Sequence, residues 1–256
     1  MYSFFKNIYK LLIPKSWQFK IEPTIRKMVY LLIYKGGDNK CLICSAKSKK
    51  FISISFYNSE DKICPSCGAL SRSRALGEFV NKNFEDNSQK ILDFSPHRSL
   101  HDFFKSKFKN YISSDFENQF HAQKSYDITK INEPNKSFDL IICLHVLEHI
   151  LEDQKAIIEL NRVLKDNGNL LIQVPLKKGK TYQDNSIISK QGRLKAFGQE
   201  DHVRIYGEDS LQLILNENGF ITKPTDIVKE FSNKEKKMYG FSKSEIIYIC
   251  RKATIN

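Results

Sequence analysis

Four of the six cysteines fall into two pairs, Cys41/Cys44 and Cys64/Cys67, with 19 residues between the pairs. Each C-x-x-C puts two thiolates on one tight turn, where both can reach a single ion. Two such turns complete a tetrahedral four-sulfur set, which suits Zn2+. Four protein ligands leave no open position, so the ion expected here is structural. The stretch 38–70 is too short to bury a core of its own, and metal binding supplies the folding free energy it lacks. Cys143 and Cys250 stand alone in apolar runs and read as buried, inert thiols. With no secretory signal read at the N-terminus, paired cysteines point to metal rather than to disulfides.

Arg72 and Arg74 follow the second pair in CGALSRSRAL. Their guanidinium groups offer a clamp for phosphate or carboxylate. Two exposed arginines at a helix start explain them equally well. Asp93 and Asp115 end two strand-like runs, ILDF (91–94) and YISS (111–114), and lie 22 residues apart. In doubly wound folds ligands bind outside the C-terminal strand ends, and an acid about 20 residues past the first loop grips ribose hydroxyls.

The elements that must position these groups alternate from Lys90 onward. Strand-like 91–94 is followed by a helix near 98–108, then 111–114, DLIICL (139–144), a helix near 152–165 and NLLIQV (169–174). Asn167-Gly168 is the turn into the last of these. A helix at 208–217 and strands near 220–228 and 245–251 complete the pattern. It predicts an α/β fold with a doubly wound, Rossmann-like parallel sheet over 90–256, carrying a polar insertion at 176–206. A connecting helix (71–89) precedes it, with Leu76, Phe79 and Val80 inward. The zinc ribbon (38–70) comes before that, and two amphipathic helices (1–37) come first. Phe4, Phe5, Ile8, Leu11 and Leu12 mark the first helix, which Pro14 stops, and Pro23 opens the second through about Tyr34. Packing of these helices on the rest of the protein is the preferred reading; peripheral membrane contact through 1–35 is the alternative.

The composition sets outer bounds. Of 256 residues, 41% are hydrophobic, which excludes wholesale disorder, and 11 Gly and 7 Pro exclude a collagenous chain. The longest apolar run, Met28–Tyr34, falls far short of the roughly 20 residues a membrane span needs. A cytoplasmic protein, with membrane-peripheral contact as an option, is expected. The net charge is +12, and residues 1–90 carry 16 basic against 7 acidic side chains. That excess favours anionic partners such as nucleic acid, acidic lipid or a phosphorylated substrate, and a solvated lysine-rich face accounts for it as well. Nucleic acid is not favoured, because Phe51, Phe56 and Tyr57 are the only stacking platform in the region.

The block SFDLIICLHVLEHILEDQKAIIELNRVLKDNGNLLIQVP (137–175) resembles the core of class I S-adenosylmethionine-dependent methyltransferases. Phe138-Asp139, Val146-Leu147-Glu148-His149, Arg162-Val163-Leu164-Lys165 and Gly168 carry the likeness, which extends over about 90–250. YDITKI (126–131) resembles the family's third acidic segment. The resemblance implies that Asp93 and the loop Phe94, Ser95, Pro96 and His97 contact the methionine moiety. It puts Asp115 at the ribose, Asp127 and Ile128 at the adenine, and Leu144 and His145 near the transferred methyl. Glu148 and His149 read as bracing the following helix. The first loop departs from the family's acid-x-G-x-G, since Asp93-Phe94-Ser95-Pro96-His97 has no glycine. It is similar in this to a subgroup with an N-terminal zinc ribbon.

Such families commonly build the substrate wall from the insertion after the fifth strand. In FGQEDHVRIYGED (197–209), His202 is the general-base candidate, with Asp201 and Arg204 beside it. His145 is the second catalytic candidate. A histidine that pins the insertion to the backbone is the plainer reading. The function implied is methyl transfer from S-adenosylmethionine to a small or carrier-linked, glycan-related acceptor. An RNA or protein methyltransferase docking through the basic ribbon, and a non-catalytic ribbon protein with a decayed methyltransferase fold, stand as alternatives. Oligomeric state is not legible.

Overall fold

A computed structural model of the chain describes residues 15–56, 59–117 and 122–253. The helix expected over 1–13 and the side chain of Tyr57 lie outside them. Helix α1 (Lys15–Val29) continues into one wider π turn, Tyr30–Tyr34. Short strands follow: β1 (Lys35–Lys40), β2 (Lys47–Ser48), β3 (Ile52–Phe56) and β4 (Ser59–Ile63). Next come α2 (Ser71–Asn83), β5 (Lys90–Phe94), α3 (Arg98–Lys107), β6 (Asn110–Ser114) and β7 (Phe138–Leu144). A 3-10 turn (Leu147–His149) leads to α4 (Asp153–Val163) and β8 (Leu164–Gln173). The insertion holds β9 (Leu176–Lys177), β10 (Tyr182–Gln183), α5 (Lys190–Phe197) and β11 (Arg204–Gly207). The chain closes with α6 (Glu208–Glu217), β12 (Phe220–Asp226), α7 (Asn233–Tyr239) and β13 (Ile246–Lys252).

These elements form two compact units. The first comprises Met1–Glu78 with Glu230–Lys243, and the second Phe79–Lys229 with Ser244–Asn256. The range 90–256 is therefore not one continuous unit. The reason lies in Arg74: it is fully buried and donates through Nε to Tyr239 O (2.9 Å) and through Nη2 to Gly240 O (3.1 Å). Its Nη1 reaches Ala69 O and Lys62 O at 2.6 and 2.9 Å, and its guanidinium stacks 4.2 Å over the Phe51 ring. Arg74 is thus neither an exposed residue nor an anion clamp. It ties the α7 segment to the ribbon.

Within the first unit, α1 runs through Pro23 instead of starting there. Met28, Leu31, Leu32 and Ile33 remain exposed, Leu32 at 81%, so this apolar face is not packed away as expected. Among the described residues no helix is long and apolar enough to cross a membrane.

The second unit is built on a six-stranded sheet of order β12-β13-β8-β7-β5-β6. β8, β7, β5 and β6 run parallel, and β13 and β12 join antiparallel. This is a Rossmann-like, mostly parallel sheet. Leu92, Ile141, Leu170 and Ile172 from the strands pack with Ile157 and Leu160 of α4 in one core. Nearly continuous apolar strands are what burial on both faces demands. Between Phe138 and Leu140 the partner register jumps from Leu164 to Asn169, which is the excursion that Asn167-Gly168 makes within β8.

Candidate active-site cleft and cysteine cluster

In the first unit, two near-identical knuckles present the cysteines. Ser45 N donates to Cys41 O (2.9 Å) and Cys41 N to Ala46 O (3.0 Å). Gly68 N and Cys64 N repeat both bonds, to Cys64 O and Ala69 O. The fifth residue of each knuckle takes a left-handed backbone: Gly68 at φ +78°, and Ser45 at +58° without glycine's freedom. The four Sγ atoms lie within 4.8 Å of one another, with Cys41–Cys67 at 3.7 Å and Cys44–Cys64 at 3.8 Å. A disulfide needs about 2.05 Å. A tetrahedron of Zn–S bonds of about 2.3 Å has edges of about 3.8 Å. The spacing therefore fits an ion held by four sulfurs. Hydrogen bonding within the cluster raises the pKa of Cys41 and Cys67 and lowers that of Cys44 and Cys64. Four sulfurs this close cannot all ionise without a cation between them.

In the second unit, a cleft of about 460 Å³ opens at the C-terminal ends of β5, β6 and β7. That size accommodates a small-molecule ligand. Phe94, Ser95, Asp115, Asp127, Ile128 and His145 line it. Six of the expected site residues are thus brought together. Ser95 sits where the family loop has glycine, and its backbone turns left-handed all the same, at φ +49°. Ser95 N donates to Ser114 O (2.7 Å), and Ser95 Oγ to Asp115 Oδ1 (2.9 Å). These two bonds stabilise a conformation that costs a non-glycine residue roughly 1–2 kcal/mol. Asp115 is only 4% exposed, so its carboxylate is a walled group rather than one bathed in solvent. Asp127 Oδ1 accepts from Thr129 N and Oγ1 at 2.8 and 2.7 Å, which holds the loop beside buried Ile128.

Asp93, Pro96, His97 and Leu144 are not among the cleft's lining residues. Asp93 is buried and accepts from Tyr111 OH at 2.8 Å; burial pushes its pKa up to about 8. It is a buried strand-layer group that does not line the cleft. His97 caps α3, accepting from Ser99 N at 3.4 Å. Asp139 accepts from Lys90 N (2.9 Å) and Lys165 Nζ (2.8 Å), while Arg162 donates to Ile131 O and Glu133 O at 2.8 Å. The block that carries the family resemblance thus works largely as scaffold.

His202 is 3% exposed and does not line the cleft. Its ring packs edge-on to that of His149, centroids 4.7 Å apart, and His149 does line the cleft. Burial lowers the pKa of His202. From the sequence alone, His149 and Glu148 read as helix braces. Their spacing to His145 on one turn was the available signal, but their juxtaposition with 201–202 was not.

The family model described as "Methyltransferase domain" matches residues 69–222, more than half of the chain. No curated protein matches the sequence. Among solved structures, the chain is similar to the YcgJ protein of Bacillus subtilis (15% identity, TM-score 0.46), covering 70% of this chain and 99% of that one. It is also similar to a S-adenosylmethionine-dependent methyltransferase from Clostridium acetobutylicum (17% identity, TM-score 0.47), covering 72% and 92% of the two chains. A third is 1,6-didemethyltoxoflavin-N1-methyltransferase of Burkholderia thailandensis, solved with S-adenosylhomocysteine (12% identity, TM-score 0.47, 72% and 79% covered). On the family match, the chain belongs to the methyltransferase-domain family and is an enzyme of that kind.

Proposed function

We propose that the cleft of the second unit holds S-adenosylmethionine, that the acceptor is a small or carrier-linked molecule, and that the four cysteines of the first unit hold a structural Zn2+. The observation that carries the cofactor assignment is Asp115, a buried carboxylate in the cleft wall at the tip of β6, anchored by Ser95 Oγ. A carboxylate there is suited to accept hydrogen bonds from two vicinal ribose hydroxyls. Ile128 offers an apolar face and Asp127 a polar edge for the adenine. Phe94 and Ser95 border the methionine end, and His145 stands at the mouth of β7. Asp93, Pro96, His97 and Leu144 act behind this wall, setting the strand layer and the start of α3.

When bound, the cofactor supplies an electrophilic methyl group on a sulfonium. The residues then have to place the acceptor in line with it and keep water out, and methyl transfer asks for little else.

Calorimetric titration with S-adenosylmethionine tests the assignment. Asp115→Ala weakens binding about tenfold to several hundredfold, because two charge-assisted hydrogen bonds of roughly 1.5–3 kcal/mol are at stake. Asp115→Asn loses less, since the amide keeps one acceptor. Melting curves of both variants report the separate cost of losing the Ser95 bond. Unchanged affinity in Asp115→Ala rejects the site.

A further inference from the structure

Beside the cleft, three ligand-type side chains converge that the reading above leaves unused. One atom each of Glu148, His149 and His202 lies within 4.8 Å of the others. Glu148 is 1% exposed; its Oε1 meets His145 Nδ1 at 3.2 Å, and its Oε2 has no hydrogen-bond partner among the described residues. A buried carboxylate oxygen without a donor is costly unless a cation completes it.

Each histidine has its Nδ1 set against an oxygen acceptor. His202 Nδ1 faces Phe197 O at 3.3 Å, and a carbonyl only accepts, so the proton is on Nδ1 and the lone pair on Nε2. His149 Nδ1 faces Asp201 Oδ2 at 3.3 Å, which leaves Nε2 as its lone-pair nitrogen too. A ring N–H given to a carbonyl or carboxylate is the usual support of a ligating histidine. The two segments are fastened to each other. Val203 N donates to Glu148 O (2.9 Å), and Arg204, 1% exposed, donates to Leu147 O (3.0 Å), Leu151 O (2.9 Å) and Ile150 O. The segments that carry the three side chains are therefore held together.

We infer that Glu148, His149 and His202 bind a divalent transition-metal ion whose open coordination positions face the cleft. Three protein ligands leave room for further ones. Because His149, His145 and Asp201 line the cleft, the open side is the side on which the acceptor sits. One carboxylate and two neutral imidazoles leave the ion with a net positive charge, which favours an oxygen ligand. The acceptor class is accordingly one that presents a hydroxyl. This last step rests on the methyl-transfer reading of the cleft; the metal site does not.

The test uses the full chain with its cysteines loaded with zinc, and Mn2+ as the probe, since thiolates do not exchange zinc for this harder ion. Loss of the electron-paramagnetic signal of aqueous Mn2+ counts bound ions, and water-proton relaxation reports whether a bound ion keeps exchangeable water. One Mn2+ per chain is expected, with a several-fold relaxation enhancement. His149→Ala weakens binding at least tenfold, as does Glu148→Gln, and Asp201→Asn weakens it about tenfold through the orientation of His149. If Glu148→Gln does not fold, His149→Ala and Asp201→Asn, both at partly exposed positions, decide. No Mn2+ bound at 0.1 mM, or binding unchanged in these variants, overturns the site. Bound Mn2+ without relaxation enhancement overturns the open positions. S-adenosylmethionine binding without Mn2+ binding rejects the metal site alone, and Mn2+ binding without S-adenosylmethionine binding rejects the cleft reading alone.

Discussion

Arg74 and Arg204 head the fully buried side chains by volume, and each holds the backbone beside a cluster of ligand-type residues. They balance their charge in different ways. Arg204 has Asp153 Oδ2 at 3.4 Å besides its three carbonyls. Arg74 bonds four carbonyls; burial lowers its pKa, and Cys41, Cys64, Asp61 and Cys67 oppose that. With the proposed Zn2+ bound, four thiolates leave a net negative charge of about two, which the buried Arg74 cation would offset. On the proposed zinc assignment the cysteine unit is electrostatically incomplete without its ion, whereas the segments that carry Glu148, His149 and His202 are fastened to each other by backbone hydrogen bonds whatever Glu148 Oε2 meets. The two proposals thus make one site part of the folding free energy of its unit and set the other on a core expected to fold regardless.

The largest effect that could break this contrast comes from Cys64→Ser. With three ligands the unit is expected to lose its zinc, and with it most of a binding free energy of about 10–16 kcal/mol. Elemental analysis falls from one zinc per chain to none, and amide-exchange protection disappears over 35–70. The strands over 90–174 keep theirs. If they lose protection as well, the two units fold as one and the contrast fails.

Next in size are the arginines. Arg74→Met and Arg204→Met each remove a buried cation from several carbonyls and cost about 3–5 kcal/mol in denaturant unfolding. Competition with a chromophoric chelator separates them: zinc affinity falls about tenfold in Arg74→Met and is unchanged in Arg204→Met. Equal zinc affinity in both would mean that Arg74 acts on the backbone only.

A buried acid, Asp93, is managed without any cation. Asp93 has a folded pKa of about 8, well above its ordinary 3.8, because burial disfavours the carboxylate. The folded state therefore holds a proton that the unfolded chain releases. Its contribution is fully present below about pH 4 and is lost as pH rises through about 8, with a slope of at most about 1.4 kcal/mol per pH unit. Asp93→Asn is expected to flatten the stability–pH curve between pH 4 and 8. A wild-type slope that survives the substitution would place the titration elsewhere.

The scaffold and the cysteine site were legible because both are encoded locally. Alternating apolar runs placed the inner strands of the large sheet within a few residues, since strands buried on both faces must be apolar almost throughout. A C-x-x-C turn places two sulfurs whatever surrounds it. Asp115 was reachable too, because the length of one β-α-β crossover fixes its distance from Asp93.

Other features depended on contacts between distant segments, and there the sequence was silent or misleading. Asp93 read as a ligand contact, and only the pairing of β5 with β6 puts Tyr111 on it. His202 read as the base in a polar insertion without periodicity. Its burial behind His149 follows from Arg204 and Val203 docking on the 147–151 turn, more than 50 residues away. Arg74 read as surface or clamp, and its burial depends on carbonyls some 165 residues further on. A periodicity reports which face of an element is buried, and a turn motif reports where neighbouring atoms point. Neither reports which remote segment arrives to complete a site, and that is what the tertiary structure decided here.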